Sequence, residues 1–158
     1  MSTKLLLTTV IIIISTIVHA QTAYVTNMSS MSHSVSVIDV TTNNVVNTIL
    51  LDCYPGSGVS VSPDGQKVYF ICGGMVNVIN TTTNTVTDTI AVGFQPIGIA
   101  VSPNSQKVYV SNSGDNTVSV IDALLNTVTA TVAVGNYPYG ICVSPDGAKV
   151  FVVNQMSH

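Results

Sequence analysis

The chain has 158 residues, enough for one domain with a substantial core. Only 7% of them are charged, against roughly 25% in an average soluble domain. The cations are four lysines, the acids are seven aspartates, and the formal net charge is −3. Such a chain has no basic stripe for a phosphate backbone, so we expect no nucleic-acid binding. Abundant Val, Ile and Thr favour strands and abundant Asn, Ser and Gly favour turns, which together predict an all-β fold.

The first twenty residues differ in character from the rest. Lys4 precedes a mostly apolar run from Leu5 to Val18, and residues 18–20 read Val-His-Ala, similar to a small-residue cleavage box. We predict that residues 1–20 are a secretory signal peptide cut before Gln21, so that the mature chain is exported to the cell surface, the extracellular space or the periplasm. The alternative is an uncleaved membrane anchor, but the run is shorter than the ~20 apolar residues that a span needs.

The rest of the chain is repetitive. The segment Val-Ser-Pro-Asp-Gly-Gln-Lys-Val-Tyr-Phe at residues 61–70 recurs in modified form at 101–110 and 143–152, with spacings of 40 and 42 residues. Three further markers stay in phase with it: the acid or amide at Asp39, Asn80 and Asp122, the asparagine at 43, 84 and 126, and the proline at 55, 96 and 138. Repeats of this length indicate a repeat architecture.

Each unit predicts four short strands, A to D. In the best-preserved unit strand A is residues 97–101, strand C is 118–122 and strand D is 127–132, while Lys-Val-Tyr-Val forms strand B. The A–B turns are built on Pro63, Pro103 and Pro145, because proline fixes φ at the second position of a turn. Four antiparallel strands every ~40 residues are typical of a β-propeller blade.

Residues 23–27 read Ala-Tyr-Val-Thr-Asn. With the VIDxxTNxV and SPDGxKVYV elements, the mature chain, residues 21–158, closely resembles the YVTN family of β-propeller repeat proteins. That family is known from surface-layer and periplasmic proteins. It shares a superfamily with the quinoprotein amine dehydrogenase β-chain. The resemblance implies a propeller of four-stranded antiparallel blades, while function stays open because the fold hosts unrelated activities.

The predicted units leave the ring incomplete. Strands B-C-D fall at about 23–52, A-B-C-D at about 53–93, A-B-C-D at about 94–135 and A-B at about 136–154, which makes thirteen strands and about three blades. Closed propellers have four to eight blades. The chain is therefore a truncated copy or fragment of a longer propeller, a short open array, or one half of a pair in which the last strand A of each chain completes the first blade of the other.

The repeated side chains are interpreted as structural. Tyr24, Tyr69, Tyr109 and Phe151 share one position of strand B, which favours packing between blades over a ring of ligand contacts. Asp39, Asn80 and Asp122 are expected to accept backbone hydrogen bonds in the C–D turn. Lys67, Lys107 and Lys149 follow the A–B turn and are interpreted as a solvated rim; an anionic ligand spanning them would need a closed ring.

Three cysteines in an exported chain leave one thiol over. Cys53 and Cys72 lie at the same end of one A–B hairpin, so a disulfide between them is possible, although the expected register places Cys72 nearer Ser57. Cys142 replaces Ala100 in the middle of a strand A and is interpreted as a small buried core residue.

No catalytic, cofactor or metal residues are predicted. Two Met-Ser-His triplets, at 31–33 and 156–158, contain soft copper ligands, but they lie in separate loops and are interpreted as retained loop sequence. No phosphate-binding glycine loop and no Ser-His-Asp arrangement can be assembled. We therefore expect a non-enzymatic module that binds a protein or a glycan, with self-association as a way to complete the ring.

The resemblance implies two other possible functions. Related propellers are similar to lactonases, to quinoprotein amine dehydrogenase chains and to the haem-d1 domain of nitrite reductase, so a remnant or subunit of a propeller enzyme is the alternative. Some periplasmic propellers of this kind are thought to bind DNA, which a mature chain with three lysines against seven aspartates disfavours.

Overall fold

The computed structural model describes residues 22–28 and 33–156; the predicted signal peptide lies outside these ranges. The described residues form thirteen strands and no helix. They therefore contain no helix that is long and apolar enough to cross a membrane. The strands are β1 (Thr22–Met28), β2 (His33–Asp39), β3 (Asn44–Leu50), β4 (Pro55–Val61), β5 (Lys67–Cys72), β6 (Met75–Asn80), β7 (Thr85–Ile90), β8 (Pro96–Val101), β9 (Lys107–Asn112), β10 (Thr117–Asp122), β11 (Thr127–Ala133), β12 (Pro138–Val143) and β13 (Val150–Asn154).

The strands form separate antiparallel sheets in chain order. β1–β3 make a three-stranded first blade, β4–β7 and β8–β11 make complete second and third blades, and β12–β13 make a terminal hairpin. In all three blades the register between the last two strands shifts by one residue, at Val37/Ile38, Val78/Ile79 and Val120/Ile121. The predicted architecture, an incomplete β-propeller of about three four-stranded blades, is confirmed.

The core lies between consecutive blades rather than within one. Val35, Val37, Val68 and Phe70 belong to a cluster between the first and second blades, and a second cluster joins Tyr69 to residues of the third blade. Successive side chains of β5 point to opposite faces and are buried on both, because a blade lies on either side of it. Each fully buried aliphatic side chain contributes roughly 1.5–3 kcal/mol. The outermost strands are largely exposed, as the burial pattern of β11 illustrates.

The A–B turns explain the Ser-Pro-Asp-Gly signature. The amide of Gly65 donates to the carbonyl oxygen of Ser62 at 2.7 Å, closing a turn with Pro63 at its second position. The Ser62 hydroxyl donates to Asp64 at 2.6 Å and accepts from the amide of Lys67 at 2.9 Å. The same turn recurs around Pro103 and Pro145.

Two interpretations of the terminal hairpin are wrong. Cys142 is exposed rather than buried, and Phe151 is 56% exposed, whereas its counterpart Tyr69 is fully buried. The reason is positional, since β5 lies between two blades while the outer face of the hairpin has no blade against it within the described residues. A repeat position therefore determines which way a side chain points, and the neighbouring blade determines whether it is buried.

Candidate functional site

The C–D turns hold their predicted acceptors. Asp122 Oδ1 accepts from the amides of Leu124 and Leu125, both at 2.9 Å, and Asp39 and Asn80 do the same in their own turns. The hydrogen bonds from the Thr42 and Thr41 amides hold the pKa of Asp39 below its ordinary value. The asparagines that close these turns, at positions 43, 84 and 126, have positive φ angles of 56°, 53° and 52°. The oxygen atoms of Asp39, Asn80 and Asp122 are hydrogen-bonded within their own turns, so these side chains stabilise the turns rather than bind a ligand.

The repeated aromatic of strand B reaches the C–D turn of the next blade. Tyr24 donates to Asn84 Oδ1 at 3.3 Å, and Tyr69 donates to the carbonyl oxygen of Ala123 at 3.5 Å. Burial raises the pKa of Tyr24, and burial together with the nearby carboxylates of Asp64, Asp122 and Asp88 raises the pKa of Tyr69 to about 12. Tyr109, on the third blade, is half-buried.

Lys67 does not belong to a solvated rim. Its ammonium group lies 2.5 Å from the Ala123 carbonyl oxygen and 3.2 Å from Asn126 Oδ1, so it links the second blade to the third. Asn126 in turn donates to Asp88 at 2.5 Å. Lys107 and Lys149 are exposed, as the rim interpretation expects. We call the Lys67 and Tyr69 contacts with residues 123–126 the blade clasp.

A pocket of about 520 Å³ lies beside the blade clasp, at the end of the molecule where the A–B and C–D turns meet. Both Lys67 and Lys107 line it, but so do Asp64 and Asp122, and the Lys67 ammonium is already paired within the protein. A hydrogen bond from Ser62 lowers the pKa of Asp64, which keeps that carboxylate ionised. The opposed charges make the pocket a poor match for an anionic ligand.

The structure contains a disulfide between Cys53 and Cys72. The expected register was wrong, because Cys72 lies opposite Pro55 and the pairing shifts between Pro55 and Val59. The disulfide occupies a position that asparagine fills in the other blades. Asn112 donates to Thr117 Oγ1 at 3.0 Å and Ser119 Oγ at 2.9 Å, and Asn27 donates to Ser34 and Ser36 in the same way. The last residue of the Tyr-Val-Thr-Asn motif thus joins strand B to strand C.

The opposite end of the molecule, where the strands of type A begin, carries a groove of about 440 Å³. We call it the loop-face groove; its lining residues are Met28, Tyr54, Pro55, Gly56, Ile71, Gly74, Gln95, Pro96, Ile97, Ser113 and Tyr137. Among the residues that the structure describes, no charged side chain lines it. Tyr54 is 57% exposed, and Phe94 at the same end of the molecule is 64% exposed. Exposed aromatic side chains beside a neutral groove are typical of a recognition surface.

The backbone around the loop-face groove is constrained. Gln95 and Tyr137, which each precede a proline, have φ angles of 52° and 54°. Non-glycine residues rarely adopt this conformation and it costs about 1–3 kcal/mol. Ser113 donates its amide and its hydroxyl to the Gln95 carbonyl oxygen, both at 2.9 Å, and fixes the loop there. The sequence pattern did not predict this groove, although its lining aromatics Tyr54 and Tyr137 each stand directly before a repeated proline.

The histidine of the first Met-Ser-His triplet packs against this end. The ring of His33 lies edge-on to Tyr54 with a centroid distance of 4.5 Å. Met31, Ser32, Ser157 and His158 lie outside the described residues. Within residues 22–28 and 33–156, no group of three or more His, Cys, Asp or Glu side chains could hold a metal ion.

The sheets, their repeated turns and their packing define a β-propeller repeat protein. A model of the YNCE-like beta-propeller family matches residues 67–158, more than half of the chain, and the chain belongs to that family. No curated protein sequence matches it.

The solved structures that are similar to the chain include a hydrazine synthase and a dihydro-heme d1 dehydrogenase. Kuenenia stuttgartiensis hydrazine synthase is 32% identical over 66% of this chain, with a TM-score of 0.62. The dihydro-heme d1 dehydrogenase NirN, solved in complex with DHE, is 19% identical over 87% of this chain with a TM-score of 0.73, which reflects a shared fold. The chain spans 30% of the length of each of these proteins.

Proposed function

We propose that the chain is an exported, non-catalytic propeller module of the YVTN type that binds a partner protein or glycan through its loop-face groove. The observation that carries the proposal is the exposure of Tyr54 and Phe94 beside a groove whose described lining residues are all uncharged. Tyrosine and phenylalanine supply large, rigid contact areas at low conformational-entropy cost, and they are enriched where binding energy concentrates. The constrained loops at Gln95 and Tyr137 keep this surface in one shape before a ligand arrives.

Export is supported by two independent features. Residues 1–20 have the pattern of a cleavable signal peptide. The disulfide between Cys53 and Cys72 fits an oxidising compartment, since cytosolic proteins rarely keep structural disulfides. The protein recovered from its native cells should have Gln21 as its first residue, which N-terminal sequencing can establish. Recovery of an uncut chain from the cytosol would overturn the localisation.

The binding site is tested with two surface variants and one matched control. Tyr54→Ala and Phe94→Ala should each weaken binding to neutral oligosaccharides on an array, or to native cell-surface proteins, by at least about tenfold. Leu125→Ala removes a similarly exposed apolar side chain, 66% exposed, at the turn end of the molecule and should leave binding unchanged. Equal binding by all three variants would exclude the loop-face groove as the site.

The alternative is a remnant or subunit of a propeller enzyme. It is favoured by the similar solved structures, which carry the names of a hydrazine synthase and of a dihydro-heme d1 dehydrogenase. Titration of the purified chain with haem, followed by absorbance, separates the two functions. A saturable shift of the haem spectrum with one haem per chain would favour the enzyme subunit, and its absence would favour the binding module.

A further inference from the structure

The charged side chains are divided unevenly between the two ends of the molecule. The lysines among the described residues stand at or directly before the start of a strand of type B, at the end formed by the A–B and C–D turns: Lys67, Lys107 and Lys149. The opposite end, which carries the loop-face groove, has two exposed aspartates, Asp52 and Asp115. No lysine or arginine lies at that end within residues 22–28 and 33–156, and residues 29–32 read Ser-Ser-Met-Ser. The described loop-face end is therefore negatively charged.

The exposed ring of Phe94 is held beside one of these aspartates. Phe94 is 64% exposed, and its backbone amide donates to Asp115 Oδ2 at 2.6 Å. The ring packs against the backbone of Gly114, since a Cβ built there would meet Phe94 Cδ1 and Cε1. The backbone of this loop therefore fixes the ring next to a carboxylate while most of its surface stays open to solvent.

Tyr54 repeats this combination one blade earlier. It is 57% exposed and follows Asp52 by two residues. The residue between them, Cys53, is bonded to Cys72, and the Tyr54 carbonyl oxygen accepts from the Gly73 amide at 3.0 Å. Both links tie the segment to the end of β5, so an exposed aromatic ring and an exposed carboxylate recur together in two successive loops.

A cation is the ligand group that both features attract. The face of an aromatic ring is electron-rich and attracts an ammonium or guanidinium group within about 6 Å. Exposed carboxylates without a described lysine nearby add to this attraction. We propose that the partner bound at the loop-face groove is a protein that presents a basic segment, with lysine or arginine side chains over Tyr54 and Phe94. This inference rests on the proposed function and specifies its partner, a basic protein segment rather than a neutral glycan.

The loop-face groove suits the rest of such a segment. Its lining includes the apolar side chains of Pro55, Ile71 and Ile97. Lysine and arginine have apolar stems that pack on surfaces of this kind while the charged group stays in water. The turn end of the molecule lacks this combination, because lysines accompany its carboxylates, as Lys67 and Lys107 do in the pocket beside the blade clasp.

Short fluorescent peptides that differ only in one central pair of residues test the inference. Fluorescence anisotropy is measured at about pH 8, where an ordinary imidazole is uncharged, so that His33 adds no charge beside Tyr54. The di-arginine peptide should bind at least about tenfold more tightly than the di-glutamine peptide, and the di-aspartate peptide should bind most weakly. The preference should shrink with added salt, since exposed charges are screened beyond about 10 Å at about 0.1 M.

Variants of the chain separate charge from fold. Asp115→Asn keeps an oxygen for the Phe94 amide but loses the charge, so it should reduce the preference for arginine at least about threefold. Asp146→Asn is the matched control at the turn end and should leave the preference unchanged; its fold is kept because Asn104 makes the same hydrogen bonds in the third blade. Phe94→Leu should weaken binding of the di-arginine peptide more than that of the di-glutamine peptide, because leucine has no aromatic face.

The outcomes distinguish this inference from the proposed function. Equal affinities for the three peptides, all weakened by Tyr54→Ala, would keep the loop-face groove as the binding site but overturn the basic partner. No peptide binding, together with binding of neutral oligosaccharides that Tyr54→Ala weakens, would overturn it in favour of a glycan. An equal effect of Asp115→Asn and Asp146→Asn would mean that net charge alone sets the preference, which also contradicts the inference. Binding that is indifferent to both Tyr54→Ala and Phe94→Ala would overturn the proposed function as well.

Discussion

The ammonium nitrogen of Lys67 lies 2.5 Å from the carbonyl oxygen of Ala123 on the neighbouring blade. The contact joins two blades at a place where the sequence shows only a repeated lysine after a turn. It also explains why one of three equivalent lysines is half-buried while the other two are exposed. A residue of a repeat acquires its role from the blade that follows it.

Removing this charge should destabilise the chain measurably. Lys67→Met keeps most of the aliphatic stem but loses the hydrogen bonds to Ala123 and Asn126. We expect the free energy of unfolding to fall by about 1 kcal/mol, since the site is partly open to water. Lys149→Met serves as the control and should change it by less than about 0.5 kcal/mol. Urea denaturation of both variants makes the comparison, and equal effects would contradict the blade clasp.

Tyr69 should make stability depend on pH in the alkaline range. Its pKa is about 12 in the folded chain against 10.0 ordinarily, because the side chain is buried near three carboxylates. The raised pKa means that its contribution is present in full below pH 10.0 and is lost as the pH rises through about 12. The free energy of unfolding should fall more steeply with pH over this window in the parent chain than in Tyr69→Phe. Parallel pH profiles would show that Tyr69 titrates normally.

The disulfide should contribute much of the stability of the second blade. Cys53 and Cys72 are 19 residues apart, and closing a loop of that length stabilises a fold by about 3 kcal/mol in the chain-entropy model. Reduction, or the double change Cys53→Ser with Cys72→Ser, should lower the urea midpoint accordingly. Cys142→Ser, at the exposed thiol, should leave the midpoint within error. A midpoint insensitive to reductant would contradict the disulfide.

Two variants of Asp122 should show whether the C–D turn is stabilised by the position of the acceptor oxygen or by its negative charge. Asp122→Ala removes the acceptor of the Leu124 and Leu125 amides and should cost about 1 kcal/mol of unfolding free energy. Asp122→Asn should cost less than half of that, because Asn80 makes the same two contacts with Thr82 and Thr83. Thermal denaturation of the two variants decides the matter. An equal loss for Ala and Asn would mean that the negative charge matters more than the turn.

The sequence predicted the strands and turns because their causes are local. Pro63 sets a turn, Asn126 tolerates positive φ, and alternation places side chains on two faces, all within a few residues. The sequence did not predict the role of Lys67 or the exposure of Cys142, because both depend on what lies against a blade some forty residues away. The position of Cys72 opposite Pro55 follows from a shifted register that no local pattern encodes.

The loop-face groove escaped sequence reasoning for a related reason. Tyr54 and Phe94 lie just before the repeated prolines, where a loop residue has no periodic polar signature to mark it. The groove exists only because the loops of successive blades come together at one end of the molecule. Fold and repeat phase are thus properties of the sequence pattern, while the candidate site is a property of the assembled blades.

The asparagine that ends strand B should be essential to the third blade. Asn112 is fully buried and donates to both Thr117 and Ser119 across the B–C pair. Asn112→Ala leaves those two hydroxyl groups without this donor and opens a cavity, so we expect a loss of about 2 kcal/mol of unfolding free energy. Asn27→Ala removes the matching contacts from a half-buried site in the first blade and should cost about half as much, since water can replace the donor there. Urea denaturation ranks the two variants, and a larger loss for Asn27→Ala would mean that burial does not set the strength of this cross-strand contact.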